Sequence, residues 1–240
     1  MMVIKNPYLP QNQVSLFVYD KTIEFLKDGF KSYEDKNVLK GINTHPDMTL
    51  CPLFNGDVVV SPESYSYYSK LSSFGLNIIK GETTLKKDYP FDIAYNLVIL
   101  GNKLFHNLKY TDKAVLKYLE NKGVEFINVR QGYTKCSTLI VDENSVITCD
   151  MGLHKIYEKN MIDSLLISNG TICINNFNHG FIGGCGGRIS HNTIGFFGDV
   201  TKHPDFIKIE EFLTKKNLKF KVLFDTPLFD YGSLIPLCTY

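Results

Sequence analysis

Short apolar segments separated by polar turns recur along this chain, and the region around Gly101-Asn102 shows the arrangement most clearly. Residues 97–100 and 103–106 are strand-like segments on either side of that turn. Glycine and asparagine tolerate the positive φ that a tight hairpin turn requires. The pattern therefore predicts a β-hairpin here.

A helix is predicted directly after this hairpin, starting at Thr111 or Asp112, because both are favourable N-cap residues. Its apolar residues share one face and are Val115, Leu116, Tyr118 and Leu119. Gly123 would end the helix after Lys122, and residues 124–129 would return as a strand. The region predicts a β-β-α-β unit.

The same order is predicted again nearer the C-terminus. Residues 188–190 and 193–197 are strand-like on either side of a second polar turn. A helix is expected over about residues 204–216, since a proline at its start suits the first helical turn. Residues 219–224 would form the returning strand.

Turn asparagines mark an internal period along the whole chain, with separations of 43, 47, 42 and 48 residues. They are Asn12, Asn55, Asn102, Asn144 and Asn192. The strand-like segments that follow them are residues 14–18, 57–60, 103–106, 145–148 and 193–197. A period of roughly 20–50 residues indicates a solenoid, a propeller or an array. The 240 residues would hold five such units.

The two ends of the chain favour a closed ring over an open array. Little sequence precedes the first turn, while a strand-like segment over residues 232–238 ends the chain and could complete the first unit. Closure would remove exposed sheet edges. We therefore predict one α/β domain over residues 1–240, a five-bladed α/β propeller of ββαβ repeats with pseudo-five-fold symmetry. The alternative is an ordinary α+β domain in which the asparagine spacing arises by chance.

Composition excludes several classes of protein. A hydrophobic fraction of 44% with 21% charged residues is typical of a chain with a buried core. The formal net charge of +1 provides no electrostatic basis for binding nucleic acid or an anionic membrane. We find neither an apolar run of ~18–20 residues nor a signal-peptide pattern, so a cytoplasmic protein is expected.

The six cysteines are irregularly spaced and include no C-x-x-C pair. Free thiols are therefore expected in place of a disulfide framework or a structural zinc site. A Cys/His cluster formed only in space stays open as an alternative.

A five-fold ring of β-β-α-β units resembles the pentein fold. That fold is shared by guanidino-group-modifying enzymes (deiminases, dimethylarginine dimethylaminohydrolase and amidinotransferases) and by noncatalytic ribosome anti-association factors. As architecture, the resemblance covers nearly the whole chain. In the catalytic members a carboxylate from an early repeat holds the guanidinium, and residues 44–56 are loosely similar, with Asp47 in the place of that acid.

Two other elements depart from the pentein pattern. Tyr133 stands where the resemblance implies a catalytic histidine, and Lys135 replaces a carboxylate, where a cation would repel a guanidinium. The family also has a nucleophilic cysteine after a glycine-rich stretch and a histidine near the chain end. Cys185 has the glycines without the histidine, and Cys238 has the location without the glycines. The resemblance therefore implies an uncharacterised branch that lacks the usual catalytic positions.

Repeat symmetry predicts a different site. Counting back eight residues from the turn asparagines reaches Asp47, Cys136 and Gly184, which pseudosymmetry would bring toward one centre. His45 shares the side-chain parity of Asp47 if that segment is extended. We predict Cys136, His45 and Asp47 as catalytic residues, with His45 and Lys135 as candidates to lower the pKa of the thiol.

A ligand is predicted to contact five further residues: Gln131, Tyr133, Lys135, Cys185 and Arg188. The last two lie in the glycine-dense stretch 181–188, which matches neither a Walker loop nor a dinucleotide fingerprint. Close backbone packing is the structural explanation for these glycines. We predict no cofactor and no metal, and a small molecule as the partner.

Three functional classes follow. The first is a thiol-dependent hydrolase or transferase acting on a small amidino-like, guanidino-like or other nitrogen-containing substrate. The second is a noncatalytic ligand-binding ring, and the third is a protein-interaction module. Cysteine is among the most buried residue types, so Cys136 is also interpretable as a core residue. The sequence slightly favours the enzyme.

Overall fold

The computed structural model describes residues 1–24, 26, 29–168 and 171–240. Within these residues the strands are β1 (Met2–Val3), β2 (Val14–Tyr19), β3 (Phe30–Lys31), β4 (Leu50–Pro52), β5 (Asp57–Val60), β6 (Asn77–Lys80), β7 (Val98–Leu100), β8 (Lys103–His106), β9 (Glu125–Asn128), β10 (Thr138–Asp142), β11 (Ser145–Thr148), β12 (Asp163–Leu166), β13 (Gly186–Ser190), β14 (Thr193–Phe196), β15 (Lys219–Val222) and β16 (Ile235–Thr239).

The helices are short and lie between the strands. The α-helices are α1 (Pro46–Thr49), α2 (Tyr65–Tyr68), α3 (Lys113–Glu120), α4 (Met151–Lys159) and α5 (Phe206–Lys215). Turns of 3-10 helix are formed by Phe54–Gly56, Ser69–Phe74, Ile182–Cys185 and Val200–Lys202. In the described part of the chain, no helix has the length and apolar character needed to cross a membrane.

Four of the five sheets are built on one plan. Their strand orders are β4-β5-β6, β7-β8-β9, β10-β11-β12 and β13-β14-β15. In each sheet the first two strands are antiparallel and the third is parallel to the second. A parallel neighbour requires a crossover connection, and helices α3, α4 and α5 supply it in three of these sheets. The protein is thus a mixed α/β fold of small sheets.

The remaining sheet joins both ends of the chain in the order β1-β16-β2-β3. Strand β16 pairs antiparallel with β2, with Ile235 opposite Val18, and also pairs with β1. The strand predicted over residues 232–238 is observed as Ile235–Thr239 and completes the first sheet, as expected from the sequence. Because β16 has a neighbour on each side, its backbone groups are not left at a sheet edge.

The turn asparagines take part in the strand connections. The backbone carbonyls of Asn102, Asn144 and Asn192 each accept a hydrogen bond of 2.8 Å from the N–H of the first residue of the third strand. At Asn55 the backbone is left-handed, with φ of 58°, and Gly56 follows with φ of 80°. These residues therefore fix both the hairpin and the start of the parallel strand.

Local sequence explains the helix boundaries. The Asp112 side chain accepts hydrogen bonds from the N–H groups of Ala114 and Val115, which caps α3 as predicted. The last helix starts at Phe206, two residues later than expected. Asp205 does not cap it, because its carboxylate binds Ser168 and Lys208 instead.

Candidate active site

The segments that precede one strand of each of the five sheets contact one another. Two positions before β4, β7, β10, β13 and β16 lie Met48, Asn96, Cys136, Gly184 and Ser233. The side-chain amide nitrogen of Asn96 lies 3.6 Å from the sulfur of Met48 and 3.1 Å from that of Cys136. The N–H of Ser233 donates to the carbonyl of Gly184 at 3.1 Å. Equivalent positions of different sheets are therefore in contact.

His45 and Asp47 reach this region from a helical turn. Pro46 starts α1, since proline fixes a helical φ and its missing N–H is not needed at that position. His45 is the extended residue before the turn, and Asp47 lies inside it. The expectation that both side chains lie on one face of an extended segment is therefore wrong. Both nevertheless reach the same site. The N–H of Asp47 donates to the carbonyl of Gly232 at 3.4 Å.

The three residues predicted as catalytic lie together. One nitrogen of His45, one carboxylate oxygen of Asp47 and the sulfur of Cys136 all lie within 4.8 Å of one another. The thiol of Cys136 donates to Oδ2 of Asp47 at 3.2 Å. The exposed fractions are only 2%, 0% and 4%, so the group is almost fully removed from solvent.

Asn96 connects the segment that carries Asp47 with the segment that carries Cys136. Its Oδ1 accepts from the backbone N–H of Lys135 at 2.8 Å and of Cys136 at 3.1 Å. Its Nδ2 donates to the carbonyl of Asp47 at 3.3 Å and to the sulfur of Cys136. Sequence reasoning did not identify Asn96, although its position two residues before β7 matches that of Cys136 before β10.

Ser233 links Asp47 to a buried cation. Its hydroxyl donates to Oδ2 of Asp47 at 2.6 Å and accepts from Nζ of Lys135 at 2.8 Å. Nζ of Lys135 also donates to the carbonyl of Gly183 at 3.2 Å and lies 5.0 Å from the ring centre of Tyr8. Lys135, predicted as a ligand contact, therefore uses its ammonium group for hydrogen bonds within the protein.

Asp230 is a second buried carboxylate near the group, and it was also not identified from the sequence. It accepts from the N–H groups of Phe181 at 2.9 Å and Gly232 at 3.0 Å. Its Oδ1 lies 3.8 Å from Nδ1 of His45. A Cβ atom at Gly184 would overlap this carboxylate, which explains why that position lacks a side chain.

A cavity of about 270 Å³ opens beside these residues. Its polar lining includes His45, Cys136 and Asp230, and its apolar lining includes Met48 and Phe181. The other lining residues are Ile42, Tyr133, Ile174, Phe177, Asn178 and His179. This mixture of apolar walls with a few convergent polar groups is typical of small-molecule sites.

Burial dominates the electrostatics of the group. It raises the pKa of Asp47 to about 6, although the nearby charges of Lys135 and His45 oppose the shift. Burial, followed by the negative charges of Asp47 and Asp230, raises the pKa of the Cys136 thiol well above its usual value. The net effect is opposite to the lowering expected from the sequence, and the thiol is a neutral hydrogen-bond donor.

The profile of a family described as "Family of unknown function (DUF6873)" matches residues 18–235. The chain belongs to this family. No curated protein matches the sequence.

Solved structures show what the fold resembles. An inosamine-phosphate amidinotransferase, StrB1 from Streptomyces griseus, aligns with a TM-score of 0.60 at 9% identity, covering 99% of this chain and 97% of that chain. A substrate-bound agmatine deiminase from C. jejuni aligns with a TM-score of 0.55 at 12% identity, covering 98% and 96%. SxtG, an amidinotransferase from Microseira wollei in the saxitoxin biosynthetic pathway, aligns with a TM-score of 0.52 at 10% identity, covering 91% of each chain. These likenesses show a pentein fold.

Of the predicted ligand contacts in this pentein, Tyr133 lines the cavity. Its hydroxyl donates to the buried carboxylate of Asp92 at 2.6 Å, which fixes the ring at the cavity wall. The family resemblance implied a histidine at position 133, where this chain has a tyrosine. His45 reaches the cavity from another segment.

The structure does not bring the other predicted contacts into the cavity. Gln131 binds Asp150 through its amide nitrogen at 2.8 Å and lines a separate cavity. Cys185 packs in the core, with its sulfur 3.3 Å from the carbonyl of Phe181. The Arg188 guanidinium binds the carbonyls of Val141, Ser190 and His191, so it holds a turn together.

Proposed function

We propose that this pentein is a thiol-dependent hydrolase or transferase that acts on a small amidino-like or guanidino-like substrate, with Cys136 as the nucleophile. The observation that carries the proposal is the grouping of the Cys136 sulfur, the Asp47 carboxylate and the His45 imidazole within 4.8 Å. Cys136 and His45 also line the cavity of about 270 Å³. We further propose that the five sheets form a closed ring around this group, which the contacts of Asn96 and Ser233 support.

The charges around the cavity suit a small cation. Asp230 lines the cavity, and Oδ1 of Asp47 is buried without a hydrogen-bond partner among the described residues. A planar amidinium or guanidinium offers N–H donors to such carboxylate oxygens. The cation of Lys135, which would repel such a group, is bound by Ser233 and Gly183 and is not among the cavity-lining residues.

A cationic substrate would also activate the thiol. A positive charge next to Cys136 favours the thiolate, and the adjacent Asp47 or His45 can accept the proton. The thiolate then attacks the amidino carbon, and the carbon–nitrogen bond breaks as the leaving amine takes that proton back from Asp47 or His45. Attack by water on the resulting amidino–sulfur adduct breaks the carbon–sulfur bond, releases Cys136 and gives hydrolysis, whereas attack by an acceptor amine breaks the same bond and gives group transfer. The similar structures named as amidinotransferases and as an agmatine deiminase support this class through the fold alone.

A noncatalytic ligand-binding site is the second candidate. The neutral thiol and the burial of all three polar side chains favour it, because an inert site has no need of a thiolate. In that case the same cations would bind and stabilise the fold without reacting.

A matched pair of alkylating agents tests the proposal. Chloroacetamidine is cationic, and chloroacetamide is its neutral analogue of nearly equal size. We expect chloroacetamidine to modify Cys136 at least ~10-fold faster, measured by mass spectrometry on the metal-free protein, because its charge favours the thiolate. Asp47→Asn should remove most of this preference.

Two controls complete the experiment. Cys149→Ser, at a half-buried thiol outside the group, should leave the rate ratio at Cys136 unchanged. In a screen of amidines and guanidines, Cys136→Ala should abolish release of the amine product. Three results together would contradict the enzyme proposal and support the noncatalytic ligand-binding site. They are equal alkylation rates of Cys136 with both reagents, thermal stabilisation by a guanidinium ligand, and no turnover.

A further inference from the structure

The three clustered side chains are also metal ligands by chemical type: an imidazole, a carboxylate and a thiol. Two of their atoms are buried and have no hydrogen-bond partner in the described part of the chain, namely Nδ1 of His45 and Oδ1 of Asp47. Buried polar atoms are nearly always paired, so each unpaired atom requires an explanation. Two such atoms in one cluster beside a cavity indicate a missing positively charged partner.

We propose that His45, Asp47 and Cys136 bind a divalent transition-metal ion, with Zn²⁺ as the reference ion, and that the fourth coordination position faces the cavity. Three protein ligands plus one open position is the arrangement of reactive zinc sites, whereas structural zinc sites use four protein ligands. The mixture of sulfur, nitrogen and oxygen donors suits zinc better than Mg²⁺ or Ca²⁺, which prefer oxygen ligands.

The observed distances are close to those of a tetrahedral site. Zinc holds its ligand atoms at roughly 2.0–2.3 Å, which places neighbouring ligand atoms roughly 3.3–3.8 Å apart. The sulfur of Cys136 lies 3.2 Å from Oδ2 of Asp47, and all three donor atoms lie within 4.8 Å of one another. Because no pair is farther apart than 4.8 Å, a contraction of at most roughly 1.5 Å, within the reach of side-chain rotation, would complete the geometry.

Outer hydrogen bonds hold the ligands in place. Ser233 donates to Asp47, and Asn96 binds the backbone N–H and the sulfur of Cys136. Oδ1 of Asp230 lies 3.8 Å from Nδ1 of His45, beyond hydrogen-bond distance, and adds a second buried carboxylate beside the proposed ion. Supporting contacts of this kind accompany metal ligands in proteins and tune the affinity of the site.

Charge and protons balance when the metal binds. The sulfur–metal bond forms as the Cys136 thiol releases its proton to solvent, and no group is oxidised or reduced. The thiolate and the Asp47 carboxylate together neutralise the two charges of the ion, which a buried site requires. The metal then occupies the sulfur that would act as nucleophile, so metal binding and thiol alkylation compete. The metal site itself does not depend on the proposed activity.

Cobalt titration of the full chain, treated with a chelator and then freed of it, tests the site directly. We expect one Co²⁺ per protein with a sulfur-to-cobalt charge-transfer band and the visible bands of tetrahedral cobalt, displaced by one equivalent of Zn²⁺. Cys136→Ser should abolish the charge-transfer band. Asp47→Asn and Ser233→Ala should weaken binding roughly 10–100-fold.

Control variants separate this site from adventitious binding to other thiols. Cys173→Ser and Cys149→Ser alter the exposed and half-buried cysteines and should leave the spectrum unchanged. In the unmodified protein, Zn²⁺ should protect Cys136 from chloroacetamidine, a result that does not depend on the folding of any variant. A charge-transfer band that persists in Cys136→Ser, or alkylation of Cys136 that is unaffected by Zn²⁺, would overturn the proposal. The metal titrations use no substrate, and turnover is measured in the presence of a chelator. The metal-site proposal and the enzyme proposal can therefore fail independently.

Discussion

The sulfur of Cys136 donates its hydrogen to Oδ2 of Asp47 at 3.2 Å across a sequence separation of 89 residues. This contact keeps the thiol protonated, because a carboxylate beside a buried sulfur disfavours a second negative charge. It also explains why the thiol pKa is raised even though a histidine and a lysine lie nearby. The same contact places a proton acceptor next to the sulfur.

The cysteines should differ in their reaction with a neutral alkylating agent. We expect chloroacetamide at pH 7 to label the exposed Cys173 at least ~10-fold faster than Cys136, because Cys136 is 4% exposed and its thiol pKa is raised. Mass spectrometry after timed quenching measures both rates, with the unfolded protein as the reference. Fast labelling of Cys136 by the neutral reagent would mean that its thiol is activated in the free protein.

Replacement of Asn96 by alanine should destabilise the protein. The change leaves the buried N–H of Cys136 without its acceptor and the N–H of Lys135 with only the backbone carbonyl of residue 96 at 3.2 Å, and an unsatisfied group costs about 1–3 kcal/mol. We expect the free energy of unfolding to fall by about 2–4 kcal/mol in urea titrations. Asn121→Ala, at an exposed position beyond α3, is the control and should change stability by less than about 0.5 kcal/mol. A small effect of Asn96→Ala would show that the Cys136 loop is held by other contacts.

Gly184→Ala should disrupt the site through overlap with Asp230. A Cβ at this position meets the buried carboxylate, which is itself fixed by the N–H groups of Phe181 and Gly232. We expect a loss of about 2–3 kcal/mol in the free energy of unfolding, in the range of overpacked cores. Gly123→Ala is a matched control: its φ of +69° strains alanine, but a Cβ there meets no atom within 4 Å, so only about 1 kcal/mol should be lost. Equal losses for both variants would remove the clash as the explanation.

His106 should make stability depend on pH. Burial lowers the pKa of His106 to about 4, and its ring lies 2.7 Å from the hydroxyl of Thr111 and 3.2 Å from the carbonyl of Gly132. The unfolded chain, with a histidine pKa near about 6.5, binds the proton first as the pH falls. The contribution of the neutral imidazole is therefore complete above about pH 6.5 and is lost progressively down to about pH 4.

A variant comparison isolates this contribution. The difference in unfolding free energy between the natural protein and His106→Gln should shrink by up to about 3 kcal/mol between pH 7 and pH 4. Urea titrations at several pH values measure it. Parallel stability curves for the two proteins would show that His106 does not titrate differently in the folded and unfolded chains.

Short-range patterns in the sequence were enough to predict the local elements. Strands Asp57–Val60, Lys103–His106 and Ser145–Thr148 have the predicted bounds, because short apolar runs directly after a turn residue depend only on a few neighbours. Asp112 caps α3 as predicted for the same reason. The turn asparagines also brought Asp47 and Cys136 into one predicted group, because equivalent positions of similar units lie in corresponding places.

The surroundings of that group depend on contacts between distant segments of the folded chain. Asn96 and Ser233 contact Asp47 across 49 and 186 residues, and no local pattern encodes which side chains fill the space between segments so far apart. The same applies to Arg188, which carries a charge suited to a ligand but is bound to three backbone carbonyls. The direction of the Cys136 pKa shift follows from burial by the whole fold, since desolvation depends on every neighbour at once and outweighs the nearby cations that the sequence could suggest.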